Sequence, residues 1–571
     1  MRRYALLLSL LLACDSAPRP LGALDAGQPS LDASTDQPAR DASARDTATR
    51  DDSTRGASTR DASTHEPVAD PTLIHVGGKP VRGTRVGEAL GFFGIRYAEP
   101  PVGDLRFAPP QPAGPWQGVL DASSFVAQCP QAPTRGLIPG VDLPESEDCL
   151  RLHVWTPARR SDEKLPVMFF IHGGRFTLGS GADLDGQHLA VSQNVIVVAI
   201  NYRLGPLGWI VHPSLDQAEA PSGNYGLRDQ QMALHWVKQH IVDFGGDPES
   251  VTLFGQSAGS QSACYHLFAR GSEGTFQRII LESGTCVDYP ALPLDRGMVQ
   301  KVGELIANEL CPDDSEVAAC LRALPPERFT DWVRPGLPGP MGEDFNPQVD
   351  GKLLPEDPWR LLAAGQFQKV PMIVGTTIDE WGAVKLYDGA DAPRPSNQAE
   401  LLLVSYGLYP NEFADILALY APLGSQQSAN DTLGRITSDS WFHCPARTLA
   451  RGAAKHGVPV YLYSFTLAPS VHGQELDYVF GYPWLSGLLK EPTFSPPAPL
   501  PLLAPLRSAV QTYWASFART GVPSDPSLQT WPAYGDDVHL ELGRDIQADR
   551  GLYAESCDFW DAVFAKRHAA R

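Results

Sequence analysis

The stretch VTLFGQSAGS, residues 251–260, decides the fold. Val251 to Phe254 are apolar or β-branched, the pattern of a short buried strand. Gly255-Gln256-Ser257-Ala258-Gly259 follows at once, and a helix-compatible run comes next. In that context G-x-S-x-G is a nucleophile elbow. The turn strains the serine and lifts its hydroxyl above the end of the sheet, and the flanking glycines avoid collisions. The bland reading is a glycine-rich turn whose serine caps a helix, and a bare match arises easily in a chain with 52 glycines. The strand before and the helix after favour Ser257 as a nucleophile.

Strand and helix patterns alternate outward from this point, starting near residue 72. Residues 92–97, FFGIRY, and 150–155, LRLHVW, read as strands. Residues 166–171, PVMFFI, and 195–200, VIVVAI, are continuous apolar runs, as strands covered on both faces should be. Residues 228–243 carry Met232, Leu234, Trp236, Val237 and Ile241 at helical spacing. Further strand patterns lie at 278–281, 372–374 and 458–465, and a helix is predicted over 504–519, ending at Gly521. The alternation predicts an α/β fold with a mostly parallel central sheet and helices on both faces. Residues 290–365 and 390–450 read as helical excursions expected to roof the site.

The 571 residues, 43% hydrophobic and 20% charged, suffice for a large core. A formal net charge of −20 makes nucleic acid a poor partner. The one long apolar run is N-terminal: Met1-Arg2-Arg3, then ALLLSLLLA over residues 5–13, then Cys14. It is too short for a span and reads as a signal peptide. Leu11-Leu12-Ala13-Cys14 resembles the lipobox of bacterial lipoproteins, in which the cysteine is lipidated. Residues 15 to about 71 lack aromatics and apolar periodicity, and Arg40, Arg45, Arg50, Arg55 and Arg60 mark a degenerate RDxxx repeat. Burial there cannot offset ordering entropy, so a disordered tether is expected. The resulting division is a signal over 1–13, a lipidated cysteine and linker over 14–71, and one folded domain over 72–571.

A serine hydroxyl needs an adjacent base, and the base an orienting acid. In the α/β-hydrolase arrangement their order is nucleophile, acid, histidine. His472 lies in a polar loop, SVHGQEL, after the 458–465 strand. Glu380 follows the 372–374 strand, with Asp379 beside it as a rival acid that spacing does not separate. His172-Gly173-Gly174-Arg175-Phe176 follows the 166–171 strand and matches the HGG-type loop whose main-chain N–H groups receive an oxyanion. The N–H of Ala258 should supply a further donor.

Longer motifs carry a family resemblance. EDCLRLHVW at 147–155, GNYGLRDQ at 223–230 and FGGDP at 244–248 make residues 72–566 resemble the type-B carboxylesterases, the family that includes the cholinesterases. The resemblance implies an α/β-hydrolase with Ser257, Glu380 and His472 as triad and with Gly174, Arg175 and Ala258 as oxyanion donors. It implies no cofactor and a small-molecule ester as substrate. Two departures stand out: Arg175 replaces a third glycine, and Gln256 replaces a glutamate. Gln256 removes a negative charge beside the nucleophile, which should weaken support for a cationic substrate or a histidinium.

The chain has nine cysteines, and an exported enzyme is expected to pair them. With Cys14 assigned to lipid, the family pattern pairs Cys129 with Cys149, Cys311 with Cys320, and Cys444 with Cys557. Cys264 and Cys286 are left as a pair or as two buried thiols. No Cys/His cluster has metal-ligand spacing, so no metal is expected. Residues 130–148 hold no aromatic. In cholinesterases that loop carries the ring that stacks on a quaternary ammonium, so a choline-ester specificity is disfavoured.

The sequence thus predicts an exported serine carboxylesterase, held by a lipid on Cys14 at a bacterial envelope membrane or else secreted, its oligomeric state open. The alternative from another class is a non-catalytic, cholinesterase-like binding or adhesion protein, in which the triad would be broken; here all three positions are filled. Metabolic labelling with a radioactive fatty acid should mark the wild-type chain and not Cys14→Ser. An unlabelled wild type, or equal label on both, contradicts the anchor.

Overall fold

In a computed structural model of the chain, the structure describes residues 70–131, 143–158, 164–287, 296–312, 315–333, 345–381, 405, 409–420, 429–483 and 502–570. The signal peptide, Cys14 and the linker up to residue 69 lie outside the described residues, as do parts of both helical excursions. The described residues form one compact unit.

The strands, in chain order, are β1 (Leu73–Val76), β2 (Lys79–Arg82), β3 (Thr84–Val86), β4 (Ala89–Arg96), β5 (Leu120–Asp121), β6 (Arg151–Pro157), β7 (Leu165–Ile171), β8 (Ile196–Ile200), β9 (Gly246–Gln256), β10 (Arg278–Glu282), β11 (Met372–Thr377), β12 (Val460–Phe465), β13 (Val538–Leu542) and β14 (Ile546–Arg550). Eleven of them form one sheet in the order β14-β13-β12-β11-β10-β9-β7-β8-β6-β4-β3. Every pairing from β13 across to β8 is parallel, and the antiparallel pairings fall at the two ends. This is the mostly parallel α/β sheet that the alternation predicts.

Side chains alternate between two cores, because successive strand residues point to opposite faces. Val251, Leu253, Ile279 and Leu281 enter one core with helix Tyr225–His240. Phe254, Ile280 and Ile373 enter the other, beneath helix Ala504–Thr520. That last helix ends as expected: Gly521 sits at φ +79 and its N–H bonds to Phe517 O. Helix Tyr225–His240 starts three residues before the predicted 228, directly after Asn224, which is left-handed at φ +53.

The sequence reading missed three features. A small sheet, β1-β2-β5, precedes the main one. The edge strands β13 and β14 went unread, as did β3.

Register positions the site. Ile171 at the end of β7 lies opposite Gly255, so the loop from His172 meets the turn at Ser257. Glu282 on β10 lies beside Gln256, and Thr377 on β11 beside Phe465 on β12. The loops after β7, β9, β10, β11 and β12 therefore leave the same edge of the sheet, where open parallel sheets place their ligands.

All four cysteine pairs are disulfides: Cys129–Cys149, Cys264–Cys286, Cys311–Cys320 and Cys444–Cys557. The question left open for Cys264 and Cys286 is answered by a bond. Cys444–Cys557 spans 113 residues and ties helix Cys444–Lys455 to the C-terminal helix Ala554–Ala570. Closing a loop of that size restricts the unfolded chain by about 4–5 kcal/mol. Buried Arg447 adds ion pairs to Asp558 and Asp561 across the same contact.

Candidate active site

Ser257 occupies the sharp turn at φ +57, ψ −126, between β9 and helix Ala258–His266. A non-glycine residue held there costs on the order of 1–3 kcal/mol, and the surroundings must enforce it. They do so on both sides. The Ser257 N–H bonds to Glu282 O at 2.9 Å, and its carbonyl accepts from Gln261 N at 2.9 Å. Gly259 lets the turn close onto β7: a Cβ there would sit 2.0 Å from Ile171 O.

His472 and Glu380 meet. His472 Nδ1 lies 2.5 Å from Glu380 Oε2, and both residues are buried. The Thr377 N–H donates to Glu380 Oε1 at 2.7 Å. Asp379, the rival acid, is only half-buried, and its main chain pairs with the loop before His472: Asp379 N bonds to Ser470 O at 2.9 Å. The partner of the histidine is therefore Glu380.

On its other side His472 Nε2 lies 3.2 Å from the Gln256 amide nitrogen, which puts the imidazole at the elbow, against the residue preceding Ser257. An N–H donated by Gln256 requires an unprotonated Nε2, so the ring's hydrogen is on Nδ1, facing Glu380. That is the tautomer a general base needs. Phe442 packs over the ring with centroids 5.0 Å apart.

The oxyanion-type loop is strained in its turn. Gly174 stands at φ +102, where a Cβ would come 2.2 Å from Leu178 O. Its carbonyl accepts from the N–H groups of Thr177 and Leu178, each at 3.0 Å. Arg175 and Phe176 follow at φ +56 and +60, each costing roughly 1–2 kcal/mol for an L-residue. Phe176 offsets this by burial edge-on against Trp209 and by accepting from the Trp209 indole N–H at 3.2 Å and from Gly205 N at 2.8 Å. His172 stacks on Tyr202 with centroids 4.4 Å apart; burial lowers its pKa to about 4, so the ring is neutral. Ala258, buried, opens the helix after Ser257, where main-chain N–H groups favour negative charge.

Two further carboxyls, which the sequence reading did not single out, lie beneath the triad. Glu282 accepts from the Trp514 indole N–H at 2.7 Å, and burial pushes its pKa up to about 8. Glu475 accepts from the Ser283 hydroxyl at 3.1 Å. Burial, then the charges of Glu380 and Glu282, hold it well above the usual carboxylate range. Of the three buried carboxyls, Glu380 is the one facing a histidine. Position was the available signal: Glu282 ends a strand beside the elbow, and Glu475 follows His472 by three residues. One group of possible metal ligands, His539, Glu541 and Asp549, has donor atoms within 4.8 Å of one another among the described residues. It lies on the edge strands β13 and β14 rather than on the loops of the triad.

Comparisons with known proteins identify the family. The model of the "Carboxylesterase family" matches residues 70–560. The chain belongs to the carboxylesterase family. It is 34% identical to the liver carboxylesterase of Sus scrofa over 550 residues, 88% of this chain and 94% of that protein. It is 34% identical to the cocaine esterase of Homo sapiens over 544 residues, 86% and 92% of the two chains. To the acetylcholinesterase of Bungarus fasciatus it is 32% identical over 529 residues, 84% of each. As a member of the carboxylesterase family the chain is an α/β-hydrolase and a serine hydrolase of carboxylic esters.

Glu282 offers a pH test of the buried site in this family member. Its folded pKa of about 8 lies above the ordinary 4.5. The stability it contributes is full below pH 4.5 and is lost as pH rises to about 8, because the unfolded chain ionises first. Glu282→Gln keeps an acceptor for Trp514 and cannot titrate. Its thermal midpoint, relative to wild type, should climb between about pH 5 and pH 9. A flat difference contradicts a protonated Glu282.

Proposed function

We propose that this carboxylesterase cleaves small carboxylic esters through an acyl-enzyme on Ser257, with His472 as general base and Glu380 as the orienting acid. The observation that carries the reading is the Nδ1–Oε2 contact of His472 with Glu380 beside the elbow. Ser257 Oγ attacks the ester carbonyl while His472 Nε2 takes its proton. Glu380 holds the Nδ1–H tautomer and stabilises the imidazolium. The oxyanion is received by the N–H groups of Gly174, Arg175 and Ala258. The Arg175 donor is main-chain, so its side chain does not impair the role. Collapse expels the alcohol, which takes the proton from His472, and water repeats the cycle on the acyl-enzyme.

His472 Nε2 bonds to Gln256 at rest, so the base must turn from that amide to the Ser257 hydroxyl as substrate enters; catalytic hydrogen bonds commonly tighten only in the complex. The short acidic stretch 143–148 and its neighbours in the Cys129–Cys149 loop bring no aromatic ring, which argues against choline esters.

The same reading places the enzyme outside the cytoplasm, tethered through Cys14 at the periplasmic or outer-membrane face, or secreted if the lipid is not attached. Four disulfides support an oxidising compartment.

Hydrolysis of a short-chain nitrophenyl ester tests the chemistry. Ser257→Ala should lose activity by about 10⁴-fold or more, with the fold intact by circular dichroism. Activity near that of the wild type in the variant overturns the mechanism.

A further inference from the structure

A second histidine–carboxylate pair lies behind the catalytic acid. His443, buried, closes the one-turn π-helix Asp439–His443 directly before Cys444. Its Nδ1 lies 2.8 Å from Asp439 Oδ1, and its Nε2 lies 2.8 Å from the main-chain oxygen of Thr377. A peptide oxygen only accepts, so Nε2 carries a hydrogen. The ring's other nitrogen faces the Asp439 carboxyl. Asp439 is itself fixed: its Oδ2 accepts from the Tyr420 hydroxyl at 2.9 Å, which in turn accepts from the Trp560 indole N–H at 2.9 Å. Tyr553 stacks on the His443 ring with centroids 4.0 Å apart and planes 7° from parallel. The Cys444–Cys557 disulfide anchors the next residue.

What His443 grips is the strand end that holds the acid. The Thr377 N–H donates to Glu380 Oε1 at 2.7 Å. The peptide whose oxygen His443 holds presents its other end, Ile378 N–H, to Ser470 Oγ at 3.0 Å. Ser470 O accepts from Asp379 N at 2.9 Å, and Ser470 lies two residues before His472. One peptide unit thus links His443 to the loop of the base, while the same residue's N–H holds the acid. Thr377 is fully buried, so losing the Nε2–H bond takes a donor from an oxygen that water does not reach. The peptide then has a reason to rotate, and Glu380 moves with it.

We propose that His443 is a positioning residue for the reaction. Through the Thr377 peptide it fixes Glu380 and the loop of His472, coupling the C-terminal helix to the triad. The inference rests on the roles proposed above for Glu380 and His472.

Two conservative variants separate positioning from mere support of the ion pair. His443→Gln places an amide N–H where Nε2–H was and keeps the bond to Thr377. His443→Asn keeps a donor toward Asp439 and loses Thr377. On a short-chain nitrophenyl ester, the Gln variant should retain kcat within about threefold. The Asn variant should lose about 10- to 100-fold in kcat, with KM changed less than about twofold. Equal loss in both, or loss in neither, overturns the proposal. A measurement on the wild-type chain stands apart from variant folding: with ¹⁵N-labelled histidine, His443 should show a directly bonded, slowly exchanging hydrogen on Nε2. An Nε2 without hydrogen overturns the proposal. Phosphonylation of Ser257 in the wild type reports separately on the triad, so failure of that reading is not confused with failure of this one.

Discussion

A carboxylate with no exposed surface must be matched by donors where it lies, or it takes up a proton. Glu380 is matched on both oxygens, by His472 Nδ1 at 2.5 Å and by the Thr377 N–H at 2.7 Å. Its neighbours Glu282 and Glu475 lack a cationic partner, and burial pushes both above the usual carboxylate range. The division of labour follows from that difference: one buried carboxyl faces the histidine and orients it, and the other two accept from Trp514 and Ser283. The sheet exists in service of this arrangement. Its parallel centre brings the ends of β7, β9, β11 and β12 to one edge, and each delivers one part of the site.

Strain is concentrated at the same edge. Ser257, Arg175 and Phe176 all sit at positive φ, and hydrogen bonds hold Ser257 and Phe176 there against their own preference. Local distortion of this kind persists only where the surroundings over-determine it. Here two continuous cores, one on either face of the sheet, provide that rigidity. Gln256 adds a restraint of its own, since its amide lies on the nitrogen that must collect the serine's proton.

What could be read from the sequence was local. The elbow was legible because the steric need for Gly255 and Gly259 operates within five residues, and the buried strands because both of their faces are apolar. The acid was not separable from Asp379, because adjacent residues share one spacing; only the pairing of Asp379 with Ser470 turns one away and the other in. The strands β13 and β14 escaped because His539, Glu541, Gln547 and Asp549 interrupt their apolar pattern, as suits a sheet edge. The hairpin β1–β2 did carry a signal, Gly77-Gly78 between short strands, which Pro80 obscured. Glu282, Glu475 and His443 act through residues distant in sequence, and no spacing announces that.

The contact between Glu380 and His472 is most directly tested by the rate at which a phosphonate ester inactivates the enzyme through Ser257, compared between Glu380→Gln and Asp379→Asn. The expected result is a loss of about 10³-fold or more in Glu380→Gln, with Asp379→Asn within about threefold of wild type. Equal rates in the two variants, or the larger loss in Asp379→Asn, would contradict the assignment of Glu380 as the residue that empowers the base.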